Sequence, residues 1–275
     1  MLKRVITGLI TAPLAVLFIW LGGIFMQVAV TLVILTGMYE LYSAFSKKWM
    51  TIHFVGYAFA LIYMAFIQTL FSQLFFEGNG FMFLTMVFIL AVLVALVLMH
   101  KKTDVRDCVI TVFGFFYVCV LLSTTFLLRG IDELGIFLIW LVFISAWGAD
   151  TGAYFTGVMF GKHKLTVLSP KKTVEGAIGG IVTATIISAL FGLALSRFSS
   201  LEMPLVLPLA LIGAGGAVLS IFGDLAASAI KRGTGIKDYG NIFPGHGGIL
   251  DRFDSVIFTA PSVYLLTVLF FRSYI

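Results

Sequence analysis

Between Ser228 and Asp254 the chain gathers five side chains that are basic or imidazole and three acids, separated by glycines, while almost everything around this stretch is apolar. The acids are Asp238, Asp251 and Asp254; the bases are Lys231, Arg232, Lys237, His246 and Arg252. Carboxylate oxygens suit Mg²⁺, and cations beside them suit the phosphates such a metal would neutralise. Asp251 and Asp254 are three residues apart, so they are neighbours on one face if a helix has begun there. An acid complementing a helix N-terminus explains one of them but not the whole cluster. The turn Phe243-Pro244-Gly245-His246-Gly247-Gly248 lets the backbone approach a ligand and aim N–H groups at it, and His246 could donate to a phosphate oxygen or carry a proton.

Two more acids lie inside apolar runs. Asp150 occurs in Trp147-Gly-Ala-Asp150-Thr-Gly-Ala-Tyr154, where it shares a helical face with Tyr154, and Asp224 ends another run one turn before Ser228. A carboxylate at a helix centre in the bilayer costs roughly 2.5–3.5 kcal/mol on insertion scales, so both read as functional. Asp150, Asp224, Asp251 and Asp254 are therefore the expected metal ligands. A second polar loop, Ser169-Pro-Lys171-Lys172-Thr173-Val-Glu175-Gly176, offers two amines for phosphate and a hydroxyl, Ser169 or Thr173, to cap the following helix. His53, His100 and His163 stand at loop edges and read as interfacial; Glu40 faces either the interface or the polar region.

These residues need a membrane to position them. The chain is 60% hydrophobic and only 11% charged, with a mean hydropathy of +1.10, whereas soluble domains carry about 25% charged residues. Continuous apolar runs at roughly 5–21, 24–45, 54–76, 81–99, 107–128, 135–160, 177–196, 204–228 and 256–271 predict an all-α polytopic protein of about nine spans. The first run reads as a retained span, since no cleavage site followed by a polar segment is evident. Residues 1–134 form the N-terminal helices and 135–275 the helices and loops that carry the chemistry, in one integrated membrane domain. With the N-terminus cytoplasmic and the C-terminus outside, 15 of the 18 Lys and Arg fall on inner segments, leaving Arg129, Arg197 and Arg272 outside. The basic balance thus belongs to a cytoplasmic face, and nucleic-acid binding is excluded for want of a separate basic domain. Cys108 and Cys119 read as packing residues.

The pattern Ser228, Lys231-Arg232, Lys237-Asp238, Gly240, Phe243-Pro244, His246-Gly247-Gly248, Asp251-Arg252-Phe253-Asp254 resembles the signature of the phosphatidate cytidylyltransferases, or CDP-diacylglycerol synthases, without a gap. Asp150-Thr-Gly-Ala-Tyr154 and Ser169-Pro-Lys-Lys-Thr173-Val-Glu175-Gly176 also resemble bacterial members, and the likeness is strongest over 140–260. The resemblance implies transfer of CMP from CTP to phosphatidic acid, releasing pyrophosphate, in the bacterial cytoplasmic membrane. It implies Mg²⁺, with room for a second cation such as K⁺, and an all-α membrane fold with a polar cavity facing the cytoplasm and open to lipid. On that reading Asp224, Asp251, Asp254, Lys237, His246 and Arg252 act at the reacting centre. Lys171, Lys172, Ser228, Lys231, Arg232, Asp238, Gly247 and Gly248 bind substrate. A homodimer is compatible with the sequence but not required by it. Two rivals stand beside this reading: a CTP-dependent polyprenol or dolichol kinase, which would release CDP, and an ion transporter, against which the absence of a repeat and the one-sided charges argue.

Overall fold

The computed structural model describes residues 13–45, 52–71, 79–131, 134–198, 205–242 and 247–272. The molecule is helical, and its sheet-like pairing among the described residues is an isolated antiparallel bridge between Lys164 and Thr173. Among the described residues, eight helices are long and apolar enough to cross a membrane: α1 (Gly23–Phe45), α2 (His53–Phe71), α3 (Gly80–Leu98), α4 (Val105–Arg129), α5 (Gly135–Phe160), α6 (Val174–Phe198), α7 (Val206–Thr234) and α8 (Leu250–Phe271). The expected first span is described only from residue 13, where it is helical as far as Leu21. Large apolar side chains face outward on these helices, among them Leu90, Val97 and Leu98 on α3 and Phe66 on α2. Exposure on that scale is stable only against lipid.

The helices overrun the apolar runs where chemistry begins. α7 continues to Thr234, six residues past the end of its run, and α8 starts at Leu250, six residues before its run. Hydropathy stops at the first charges, but a helix goes on pairing its own backbone as it leaves the bilayer. The overrun places Lys231 and Arg232 on the same helix as Asp224 and Ser228, and Asp251, Arg252 and Asp254 on another. Two helices contain wide π-helical turns, Phe115–Val120 in α4 and Ile144–Gly148 in α5. Such turns accommodate a surplus residue and are frequent near functional sites.

The chain divides into two compact units. The N-terminal unit runs to Ser123 and takes in Asp238–Asp251, a segment that the sequence alone groups with the C-terminal half. Its interior is aromatic: the Phe88 and Phe115 rings lie 4.5 Å apart, Tyr63 packs edge-on to Phe115, and the Tyr63 hydroxyl bonds Ser123 Oγ at 2.9 Å. Tyr42 donates to the Thr111 carbonyl at 3.0 Å. His53, expected at the interface, is instead buried, its ring stacked 3.9 Å from that of Tyr42. Cys108 and Cys119 are free and buried, as packing residues should be.

The C-terminal unit comprises Thr124–Lys237 and Arg252–Ile275. Its helices approach through small residues, the usual way to bring backbones together in a membrane. A methyl group at Gly180 of α6 would stand 2.6 Å from the Ala149 carbonyl of α5, and one at Gly176 would stand 2.9 Å from that of Ala153. On α7, Gly213 receives Ser188 and Gly216 receives Ser145, while the Thr259 hydroxyl of α8 donates to the Gly216 carbonyl at 3.5 Å. This packing sets α5, α6, α7 and the body of α8 around one another.

Candidate active site

The close α5–α6 approach opens at one end into a cavity of about 420 Å³ within the C-terminal unit. Asp150 and Tyr154 of α5 line it, four residues apart on one face as the sequence predicts. Ser169, Lys171, Lys172 and Thr173 of the α5–α6 loop line it as well, and much of the rest of the lining is small: Ala149, Ala153, Gly157, Gly176 and Gly180. Thr173 Oγ1 accepts the Gly176 N–H at 3.1 Å, so Thr173, not Ser169, is the residue that caps α6.

Charges converge here. The Lys172 ammonium forms an ion pair with the Asp224 carboxylate of α7, both side chains about one-quarter exposed. Asp150 lies within electrostatic reach of Lys172 and Asp224. Asp254 of α8 lies within reach of Asp224, Asp150 and Lys231, and its Oδ1 accepts the Ser255 N–H at 2.7 Å. Three of the four acids expected to bind metal therefore share one electrostatic neighbourhood, together with two of the expected phosphate-binding lysines. Of the converging charges only Asp150 and Lys172 line the cavity itself, with Asp224, Asp254 and Lys231 outside its lining; Ser228, one turn beyond Asp224 on α7 and half-buried, and the exposed Arg232, Lys237 and Arg252 are outside it as well.

Asp251 behaves differently. Its Oδ2 accepts the backbone N–H of Tyr239 at 2.8 Å and of Gly248 at 2.9 Å, within the N-terminal unit. It fastens the signature loop to the first turn of α8. Gly247, with φ +82°, and the buried Gly248 make the loop's last bend, and a methyl on Gly247 would meet Asp251 Oδ2 at 2.7 Å. Asp238 is exposed at the start of this segment. His246, to which sequence gave a proton-transfer or phosphate role, lies outside the described residues.

Sequence reasoning left Glu40 undecided, and the structure gives it a definite place. It is 2% exposed on α1, and its two carboxylate oxygens accept the N–H groups of Ile249 at 2.9 Å and Leu250 at 2.8 Å. Those are unpaired donors at the start of α8, and a buried anion there satisfies both hydrogen bonding and the helix dipole. The available signal was the cost of an intramembrane acid, which demands a partner; its partner, 209 residues away, is not readable from one sequence.

Whether these residues suit Mg²⁺ is a question of donors and arrangement. Asp150, Asp224 and Asp254 offer only hard carboxylate oxygens, the right chemistry for that ion. Among the described residues, however, no group of three or more His, Cys, Asp or Glu is arranged to hold a metal ion, and the Lys172 ammonium already sits on Asp224. The donor set fits; in this arrangement a lysine neutralises it.

Comparison with known proteins decides the family. A sequence profile described as the cytidylyltransferase family matches residues 2–270. The chain belongs to this cytidylyltransferase family. It is 32% identical over 98% of both chains to a phosphatidate cytidylyltransferase of Bacillus subtilis (strain 168). It is 44% identical to proteins of the same name from Synechocystis sp., over 47% of this chain and 42% of the relative, and from Staphylococcus aureus (strain COL), over 49% and 50%. Cytidylyltransferase membership accords with the acid-and-lysine cavity and with the eight apolar helices, which make this an integral membrane protein.

Proposed function

We propose that the chain is a phosphatidate cytidylyltransferase, transferring CMP from CTP to phosphatidic acid to give CDP-diacylglycerol and pyrophosphate. The observation that carries this reading is the 32% identity maintained across 98% of both chains with a relative of that name. The cavity supports it. Its lining bears lysines and hydroxyls suited to phosphate together with an acid, and the site is built on helices that also face lipid.

The chemistry is an attack by a phosphatidate oxygen on the α-phosphorus of CTP, with pyrophosphate leaving. Near neutral pH much of a phosphomonoester is already a dianion, the second pKa being about 6, so no strong general base is needed. The obstacle is negative charge accumulating at one place. Lys171 and Lys172, with Ser169 and Thr173, bind phosphate oxygens at the cavity wall, and Lys231 and Arg232 extend the positive field along α7. Asp224 orients the Lys172 ammonium. Asp224 and Asp254, with Asp150, are the residues that would hold Mg²⁺, which when bound supplies further neutralisation of phosphate charge. Catalysis of this kind depends on position and electrostatics more than on proton transfer. The charge asymmetry of the loops supports a cytoplasmic membrane location with the N-terminus inside.

The test is incubation of purified protein in lipid with labelled CTP and phosphatidic acid, with and without Mg²⁺. Labelled CDP-diacylglycerol and pyrophosphate are expected, with little product without the metal. Release of CDP with a phosphorylated lipid alcohol would replace this reading by the kinase, and absence of any nucleotide-dependent product would overturn both.

A further inference from the structure

The loop between α5 and α6 is short, polar and flanked by two membrane helices, yet it is folded rather than loose. Its two limbs pair: Leu165 N–H donates to the Lys172 carbonyl at 2.9 Å, Val174 N–H donates to the His163 carbonyl at 2.9 Å, and Lys164 and Thr173 form the antiparallel bridge. A turn closes the tip, with the Lys172 N–H donating to the Ser169 carbonyl at 3.0 Å. The base of this small hairpin is tied by one side chain. Glu175, in the first turn of α6, accepts the backbone N–H of Lys162 at 3.1 Å and of His163 at 3.2 Å through Oε2, and contacts the His163 ring Nδ1 at 2.6 Å through Oε1. A carboxylate in the first turn ordinarily serves the N-terminus of its own helix. Here Thr173 already caps the helix, and Glu175 reaches across to the opposite limb.

We propose that Glu175 is a positioning residue for phosphate handling: by clamping the incoming limb of the hairpin to α6, it fixes the outgoing limb so that the Lys172 ammonium stands between the cavity and Asp224. The hairpin leaves Lys172 little freedom of its own. Its backbone N–H and carbonyl are both bonded within the loop, immediately before the α6 cap, so its placement follows the placement of the limbs. Without the clamp, Lys162 and His163 lose the anion that gathers their N–H groups, the paired limbs part, and the ammonium is free to leave Asp224. This deepens the reading of the cavity as the phosphate site and rests on it only for its catalytic consequence; the placement of Lys172 is independent of what the substrate is.

The experiment uses the full chain in lipid nanodiscs. Lysines are acylated with an amine-selective reagent and their rates are read by mass spectrometry for the parent, Glu175→Ala and Glu175→Gln. In the parent, Lys172 is protected relative to Lys171. Loss of charge-assisted bonds should raise Lys172 reactivity by about tenfold in Glu175→Ala and by less in Glu175→Gln, which keeps a carbonyl acceptor. Lys101 and Lys231 should not change. In parallel, Glu175→Gln should lower kcat/KM by about tenfold while its thermal midpoint stays near the parent's. Unchanged Lys172 reactivity in both variants overturns the proposal, as does a uniform rise at every lysine, which would mark general loosening. If the parent makes no liponucleotide while Lys172 is still unmasked, the enzymatic reading falls and the positioning role stands.

Discussion

Lys172 and Asp224 meet inside the cavity's electrostatic neighbourhood, and each is worth more as half of a pair than alone. Lys172→Gln removes the cation and leaves the aspartate beside Asp150 and Asp254 with less to offset their repulsion. Initial rates of that variant should fall by about a hundredfold, the scale set by deleting one preorganised electrostatic contact, and Lys172→Arg should recover part of the loss. Asp251 calls for a different measurement. Its Oδ2 holds two backbone N–H groups, so Asp251→Ala should weaken the loop's attachment by about 1–3 kcal/mol, visible as a lower midpoint in thermal unfolding. An unchanged midpoint would return Asp251 to a purely catalytic role. Sequence alone identified Asp150, Asp224, Asp254 and the two lysines because ionisable groups in an apolar chain are rare enough to stand out. It could not separate Asp251 from Asp254, since two acids one helical turn apart look alike whether a carboxylate is held by a distant loop or stands among other charges.

Two elements carry the site, and each depends on an approach that only small or buried groups allow. Gly180→Val on α6 would press a branched side chain against the Ala149 carbonyl and push the helices apart. Overpacking of that kind costs about 1–3 kcal/mol and should lower both thermal stability and turnover. For α8, Glu40→Gln leaves one acceptor for two N–H groups at the helix start. The expected result is faster hydrogen exchange at Ile249 and Leu250, with protection of the α5–α6 pair unaltered; equal exchange in parent and variant would show that Glu40 is dispensable there. The number and order of helices were legible from runs of apolar residues. Their ends were not, because hydropathy reports where lipid stops rather than where backbone pairing stops. The contact from Glu40 to the signature segment was hidden for a plainer reason: it joins residues with no local pattern in common.

At the scale of the whole molecule, membrane burial and charge bias together predict an orientation that chemistry can check. The two native cysteines are buried, so single cysteines introduced at exposed sites would report alone. A cysteine at Lys102 should react with an impermeant maleimide only when the cytoplasmic side is open, and one at Arg272 only from the opposite side. The reverse pattern would invert the proposed topology and place the cavity away from cellular CTP. One local irregularity also has a reach far beyond its own length. The wide turn Ile144–Gly148 lies immediately upstream of Asp150, so the azimuth of that acid depends on how many residues precede it as well as on what it is. Were the same residues wound as an ordinary α-turn, Asp150 would swing through about 100°. A descendant could therefore keep every letter of the motif and, by losing the loose coil alone, aim its carboxylate somewhere else.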